Sequence, residues 1–197
     1  MCRVSLDYRR FYALGERFAR GTFRVHSLGE LPGGDPLALT RGEVELREPI
    51  RFAHDEGSRI KDHIGTTKAL LHLVSDRFIS ALDGFSGWRT YPVEVYDADG
   101  ELIVGYHGLA VTGRSGPIDD ELSPVMVLPP PVPRGAAMPH RIGIRFWPET
   151  WDGSDVFMPE ERGWVLVTQA VRDALSDAKI TGIELHRITE IELLLSD

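Results

Sequence analysis

Two groups of acidic residues are the side chains of this sequence whose types and spacing best suit a chemical role. Paired carboxylates serve acid–base catalysis when burial tunes their pKa values, whereas carboxylates in loops suit a contact surface for a basic partner. Aromatic side chains at a charged rim are typical of interface hot spots, although tryptophan is more often a core residue. We therefore predict a partner-binding surface. Its candidate residues are Asp119, Asp120, Glu121, Trp147, Trp151, Asp152, Asp155, Glu160 and Glu161.

The other candidate chemistries lack the spacing that they require. Of the seven histidines, His54, His63 and His72 recur every nine residues, which fits neither a helix nor a strand period. The sequence has no HExxH metal motif, no GxSxG nucleophile elbow and no glycine-rich phosphate loop. We predict no catalytic residue, no metal ligand and no cofactor, and therefore a protein that is not an enzyme. The alternative is a small enzyme or enzyme regulator with an Asp/Glu/His site between the two halves of the chain.

A strand–helix–strand pattern that occurs twice would position the acidic segments. Leu73-Val74-Ser75 in the first copy matches Leu166-Val167-Thr168 in the second, and Gly87 matches Gly182. Serine and threonine favour the position before a helix, and glycine favours the position after it. We predict an α+β fold with mostly antiparallel sheets and two short, equivalent helices.

Other local signals give further elements. The spacing of apolar residues over 11–20 predicts a short helix, Leu31–Pro36 predicts a turn, and Asp97–Gly100 predicts a hairpin turn. Residues 113–140 are rich in proline, so we predict that no regular element crosses them. We predict one domain over residues 1–197. The alternative is two lobes, about 1–112 and 141–197, joined by the loop 113–140.

Composition narrows the classes of partner. The net charge is −8, which argues against binding to nucleic acid or to an anionic membrane surface. The single cysteine, Cys2, excludes an internal disulfide and fits a reducing compartment. No apolar run approaches the roughly 18 residues of a membrane span. These features predict a soluble, cytoplasmic protein of unknown oligomeric state.

The repeated pattern also carries a family resemblance. The phrase Leu73-Val74-Ser75-Asp76-Arg77-Phe78, followed by Gly87-Trp88-Arg89-Thr90-Tyr91-Pro92-Val93, resembles the recurring motif of the Imm11-type (DUF1629-like) bacterial immunity proteins. Asp62-His63-Ile64-Gly65-Thr66 and Ser154-Asp155-Val156-Phe157 resemble two shorter phrases of that family. The similarity covers residues 60 to 190, approximately.

The resemblance implies a cytoplasmic immunity protein of a bacterial polymorphic toxin system. Such a toxin inhibitor acts through protein–protein interaction, because it binds one cognate toxin domain and blocks it. The family supplies no catalytic residues to transfer. Relatives with paired CxxC motifs differ from this chain, which has one cysteine, so no metal site is carried over. If the toxin acts on an anionic substrate, the carboxylates above could mimic that substrate.

Overall fold

The structure is a computed structural model that describes residues 6–67, 71–119, 121–129, 137–160 and 163–194. In these residues the fold is mostly β, with three α-helices and mostly antiparallel sheets. The prediction of mostly antiparallel sheets is confirmed. No helix of the described residues is long and apolar enough to span a membrane.

Sixteen strands and three α-helices form the described part of the chain. In chain order, the strands are β1 (Phe11–Glu16), β2 (Arg24–Ser27), β3 (Ile50–Glu56), β4 (His63–Thr66), β5 (His72–Ser75), β6 (Trp88–Tyr91), β7 (Val93–Tyr96), β8 (Leu102–Ile103), β9 (Tyr106–Val111), β10 (Gly113–Ser115), β11 (Val125–Leu128), β12 (Met138–Ile142), β13 (Val156–Pro159), β14 (Val165–Thr168), β15 (Ile183–Arg187) and β16 (Glu192–Leu194). The helices are α1 (Pro36–Thr40), α2 (Asp76–Ala81) and α3 (Gln169–Asp177).

These strands form three sheets. The eight-stranded sheet has the order β6-β9-β5-β4-β2-β3-β7-β8, the five-stranded sheet has the order β10-β13-β14-β1-β15, and the three-stranded sheet has the order β11-β12-β16. Strand β1 pairs antiparallel with β14 on one side and with β15 on the other. A strand from the start of the chain therefore completes a sheet whose other strands come from its second half.

The predicted helix over residues 11–20 is wrong, because most of this segment is strand β1. Four consecutive residues, Phe11 to Leu14, are buried. Tyr12 and Leu14 pack into one core cluster, while Phe11 and Ala13 pack into another. Burial of both faces removes the alternation that marks a strand, which explains why the sequence pattern suggested a helix.

The structure also contains a helix that the sequence pattern did not predict, α1. Helix α1 follows the predicted turn at Leu31, where the Gly34 N–H donates to the Leu31 carbonyl at 2.8 Å. The Asp35 carboxylate accepts from the Leu37 N–H at 2.8 Å, and Pro36 occupies the first helical position. Proline suits that position because the first helical N–H has no partner within the helix.

The prediction that residues 113–140 contain no regular element is wrong as well. Strands β10 and β11 lie inside this segment, and β12 begins at Met138; Pro130–Pro133 lie outside the described residues. Pro139 is tolerated within β12 for a geometric reason. The Ile142 N–H donates to the Pro124 carbonyl beside β11, so by alternation the Pro139 nitrogen faces away from β11.

The predicted hairpin at Asp97–Gly100 is confirmed. Strands β7 and β8 pair through Val95 with Ile103 and through Tyr96 with Leu102. One carboxylate oxygen of Asp97 accepts from the N–H groups of Asp99 and Glu101, both at 2.9 Å. The side chain of Asp97, the first residue of the turn, therefore stabilises the turn.

Helices α2 and α3 pack against each other and share one buried cluster. Phe78 of α2 and Val171 and Leu175 of α3 are buried in it. Ser75 caps α2, since its hydroxyl accepts from the Phe78 N–H at 3.2 Å. Thr168 stands at the same position before α3, but its hydroxyl makes no capping bond to that helix.

Candidate functional site

The structure brings the two predicted acidic segments together around strand β10. The Glu160 N–H donates to the Ser115 carbonyl at 3.1 Å. The chain that leaves β10 continues to Asp119, whose N–H donates to the Arg145 carbonyl at 2.8 Å. Strand β10 itself pairs in parallel with β13. Carboxylates that are far apart in the sequence therefore belong to neighbouring segments of one region.

Asp152 uses its carboxylate to hold this region together. It accepts from the backbone N–H of Arg114 at 2.7 Å and from that of Ser154 at 2.9 Å. Partial burial raises the pKa of Asp152, but the hydrogen bonds from Ser154 and Arg114 outweigh this effect and lower the pKa below its ordinary value. The geometry gives Asp152 a role in joining β10 to the segment before β13.

Asp155 is engaged in the same manner. One carboxylate oxygen accepts from the Ser86 N–H at 3.0 Å and from the Ser86 hydroxyl at 2.9 Å. The other accepts from the Thr168 hydroxyl at 3.3 Å. This carboxylate therefore links the exit of α2 to the start of α3, and a partner would have to compete with three internal hydrogen bonds.

The remaining predicted carboxylates differ in their exposure to solvent and in their hydrogen bonds. The Asp119 carboxylate accepts from the N–H groups of Glu121 and Leu122, at 2.9 and 3.0 Å, and so stabilises the turn that leads to β11. Glu121 and Glu160 are exposed. Asp120 and Glu161 lie outside the described residues. Glu121 and Glu160 are therefore the described carboxylates of this region that remain most available to a partner.

The two predicted tryptophans are partly buried. The Trp151 ring makes an edge contact with Phe11, with 5.2 Å between the centroids, and packs against Phe157. Its indole N–H donates to the Ser154 carbonyl at 3.1 Å. Trp147 precedes the short 3₁₀ turn Pro148–Thr150 and accepts from the Thr150 N–H and hydroxyl through its carbonyl. Trp151 thus contributes mainly to the aromatic core beneath the acidic region.

An apolar hairpin beside the acidic turn is the feature that the sequence analysis missed. Strands β11 and β12 pair antiparallel, and four of their large apolar side chains are exposed. The exposed fractions are 51% for Val125, 52% for Met126, 68% for Val127 and 38% for Met138. The run Val125-Met126-Val127-Leu128 was the available signal, but the surrounding prolines hid it. Clustered exposed apolar side chains with a polar rim mark interaction sites.

A second carboxylate, Asp62, repeats the hydrogen bonds of Asp155 and adds an ion pair with Arg77 at 3.3 Å. One oxygen of Asp62 accepts from the Ser75 hydroxyl at 3.0 Å, and the other accepts from the N–H and hydroxyl of Thr181, at 2.8 and 2.6 Å. The Ser75 N–H donates to the Asp62 carbonyl, as the Thr168 N–H donates to that of Asp155. Asp62 thus joins the start of α2 to the residue before Gly182, while Asp155 joins the start of α3 to the residue before Gly87.

Two histidines form a buried pair on strands β4 and β5. His63 Nε2 and His72 Nδ1 are 3.0 Å apart and share one hydrogen bond. Burial lowers the pKa of His63 to about 3, with a further contribution from His72, and lowers that of His72 to about 4. Both rings are therefore neutral at neutral pH. Within the described part of the chain, His63 Nδ1 has no hydrogen-bond partner.

The same part of the fold contains a half-buried ion pair. The Glu16 carboxylate lies 3.4 Å from Arg24 Nε and directly over Gly65, where an added Cβ would come within 2.1 Å of it. Burial raises the pKa of Glu16, although the positive charge of Arg24 opposes the effect. Gly65 lies opposite His72 in the β4–β5 ladder. Glu16, Arg24 and His72 therefore place polar groups around Gly65, where apolar side chains would be usual in a protein interior.

Metal binding and pockets give weaker candidates. Among the described residues, no three His, Cys, Asp or Glu side chains converge as a metal site. A surface pocket of about 510 Å³ beside β15 is lined by His186, Glu190 and Glu192, among others. His186 pairs with Glu184 at 3.2 Å, and both side chains are largely exposed.

A scan against models of protein families finds no match to this chain, and a search of curated proteins finds none either. The resemblance to Imm11-type immunity proteins therefore stays a prediction, and the function rests on the geometry of the sites described above.

Proposed function

We propose that this protein is an immunity protein that binds a cognate bacterial toxin domain in the cytoplasm and blocks its active site or a surface that it needs. The observation that carries this proposal is the exposed apolar strand β11, which begins four residues after the exposed Glu121. An apolar centre with a charged rim is the usual composition of a protein–protein interface.

The charge of the chain supports a basic partner. The net charge is −8, and the exposed carboxylates of Glu121 and Glu160 lie on neighbouring segments. Such a surface increases the rate of encounter with a basic toxin domain and disfavours nucleic acid. In this proposal the apolar hairpin supplies most of the binding free energy, and the carboxylates supply orientation and selectivity.

We further propose that the two strand–helix–strand segments descend from one duplicated unit. The matching bonds of Asp62 and Asp155 support this proposal. Each carboxylate accepts from the hydroxyl thirteen residues further along the chain, Ser75 or Thr168. Each also accepts from the residue before the glycine of the other unit, Thr181 or Ser86. In this proposal the rigid, duplicated units are a scaffold that holds the acidic region and the hairpin in place.

A co-expression rescue tests the proposed function. The genes beside that of this chain are searched for a large secreted protein, and the C-terminal domain of any such protein is expressed in a bacterial host, alone and with this chain. We expect the domain to stop growth and this chain to restore it, with the two proteins co-purifying. If growth is not restored and the proteins do not bind, the immunity proposal is wrong.

Charge reversal tests the role proposed for the acidic region. We expect Glu121→Lys/Glu160→Lys to weaken binding to that toxin domain about tenfold or more, with a reduced dependence on salt, because both carboxylates are exposed. The matched control is Asp99→Lys/Glu101→Lys, which changes the same charge on the exposed turn between β7 and β8. Equal effects of the two double variants would assign the loss to net charge alone.

The small-enzyme alternative requires an Asp/Glu/His site between the two halves of the chain, whereas the pocket that contains His186, Glu190 and Glu192 is lined by residues of the second half alone. Carboxylate catalysis usually requires burial to tune the pKa, whereas the Glu190 side chain is 68% exposed and pairs with Arg187 at 3.1 Å. The pocket therefore ranks second to the interaction surface.

A further inference from the structure

The geometry points to strand addition as the mode of binding: we propose that an extended segment of the toxin domain pairs with the open edge of β11. This inference rests on the proposed function and specifies how its partner is recognised. The partner segment would carry apolar side chains along its length and a lysine or arginine near one end.

The open edge is defined by the order of the sheet. Strand β11 is at the end of the order β11-β12-β16, so only one of its sides is paired within the described residues. An edge strand offers a row of backbone N–H and C=O groups to an incoming strand. Natural edges are commonly protected by charged residues, but Val125-Met126-Val127-Leu128 has none.

The register shows which backbone groups are available. The Ile142 N–H donates to the Pro124 carbonyl, and the pairing continues with Met126 opposite His140 and Leu128 opposite Met138. Backbone groups alternate sides along an antiparallel strand. The N–H and C=O groups of Val125 and Val127 therefore point away from β12, so among the described residues two donors and two acceptors are left for a partner strand.

The side chains on both faces extend the same site. Val125 and Val127 lie on one face of the hairpin, and Met126 and Met138 lie on the other. All four are exposed. An added strand would therefore find apolar neighbours above and below the sheet, and this contact supplies the hydrophobic component of binding.

Charge favours a basic partner strand over a second copy of this chain. The segment before β11 carries the exposed Glu121, and Glu192 of β16 is also exposed. Both lie at the same end of the sheet, because Ile142 pairs with Glu192 on one side and its N–H donates to the Pro124 carbonyl on the other. Two copies of charge −8 would repel each other.

The test compares two substitutions at one residue. Val127→Pro removes the outward N–H without touching the bonds to β12, while Val127→Ala removes the side chain and keeps the N–H. We expect Val127→Pro to weaken binding to the toxin domain at least about tenfold more than Val127→Ala, because both variants lose the valine side chain and only the proline variant loses the N–H. Calorimetry measures the affinities, and circular dichroism with thermal unfolding checks that both variants fold.

Amide hydrogen exchange on the unmodified chain gives a second readout that does not depend on a folded proline variant. We expect the Val125 and Val127 amides to exchange quickly in the free protein and to become protected in the complex. The Val95 amide, in the paired strand β7, is the internal reference.

The outcomes separate the two proposals. If the unmodified chain binds, but the proline and alanine variants bind equally and the two amides stay unprotected, strand addition is wrong and the immunity function stands. If the unmodified chain neither binds nor rescues, the proposed function is wrong and strand addition is wrong with it. If the free chain dimerises and protects the same amides, a second copy occupies the edge and the toxin-strand inference is overturned.

Discussion

At the scale of single residues, the predicted site divides into carboxylates that bind the protein itself and carboxylates that face solvent. Asp152 and Asp155 accept hydrogen bonds from backbone and hydroxyl groups, and Asp155 is also partly buried, whereas Asp152, Glu121 and Glu160 are exposed. Charge-assisted hydrogen bonds of this kind contribute roughly 1.5–3 kcal/mol each. A partner would gain little from competing for Asp155, so recognition through charge falls to the exposed residues.

The buried histidine pair gives a pH prediction at the same scale. In the folded protein the pKa values are about 3 for His63 and about 4 for His72, whereas an unfolded histidine titrates near its ordinary value of 6.5. Below pH 6.5 the two histidines bind protons in the unfolded chain but stay neutral in the folded chain. The histidines therefore contribute full stability above pH 6.5, and this contribution is lost as the pH falls towards 4. The slope is about 1.4 kcal/mol per pH unit for each histidine.

The measurement is urea unfolding from pH 7.5 to 4.5, with His63→Val/His72→Val as the comparison. Val156 and Val165 of the β13–β14 ladder stand at the positions that match His63 and His72 of the β4–β5 ladder. Valine is therefore already accommodated at equivalent positions of this fold. We expect the double variant to lose less stability on acidification than the unmodified protein. Parallel curves for the two proteins would mean that the histidine pair does not determine the acid sensitivity.

At the scale of elements, two glycines allow the strands β4 and β13 to approach the exits of the helices. Gly87 has φ +88°, and an added Cβ would lie 2.1 Å from the Val156 carbonyl oxygen. Gly182 has φ +86°, and an added Cβ would lie 2.5 Å from the His63 carbonyl oxygen. These positions need glycine for two reasons, the left-handed backbone and the close approach of another chain segment.

Gly87→Ala and Gly84→Ala separate these two reasons. Gly84 has a similar φ of +82°, but nothing lies within 4 Å of an added Cβ there. We expect Gly84→Ala to lower the free energy of unfolding by about 1–2 kcal/mol, which is the cost of the left-handed conformation. Gly87→Ala should cost at least about 2 kcal/mol more, because the Val156 strand must move. Urea unfolding measures both, and equal losses would show that the close approach is not rigid.

At the scale of the whole molecule, the sheets are assembled from strands that are distant in the sequence. Strand β1 lies between β14 and β15 in the five-stranded sheet. Strand β9 belongs to the eight-stranded sheet, whereas β10, the next strand in the chain, pairs with β13 in the five-stranded sheet. Asp62 and Asp155 add hydrogen bonds between the first and second halves of the chain, to Thr181 and to Ser86 respectively. The stability of each half therefore depends on contacts from the other.

A fragment experiment follows from this arrangement. Residues 141–197, expressed separately, should fail to fold, because this fragment lacks β1, which lies between β14 and β15, and also lacks β10. Circular dichroism should show no cooperative thermal transition for this fragment, whereas residues 1–112 keep the whole eight-stranded sheet and should unfold at a lower temperature than the intact protein. A cooperative transition in fragment 141–197 alone would contradict this prediction and would favour two independent lobes.

The sequence by itself was enough for the local features that short-range chemistry dictates. The turn Asp97–Gly100, the cap at Ser75 and the mostly antiparallel class follow from residue types and spacing. Strand β1 could not be predicted, because burial of both faces in different clusters erases the period of two. Strand β11 was hidden because prolines outside a strand do not prevent the strand between them.

The division between sequence and tertiary structure is clearest for the acidic residues. Their presence and the net charge of −8 are properties of the sequence, so the proposed preference for a basic partner rests on the sequence. Whether a given carboxylate faces inward or outward is decided only when distant segments meet. Asp155 and Glu160 are five residues apart, yet one binds Ser86 and Thr168 while the other stays exposed. Hydrogen bonding acts over about 3 Å, and only the fold determines which groups lie within that distance.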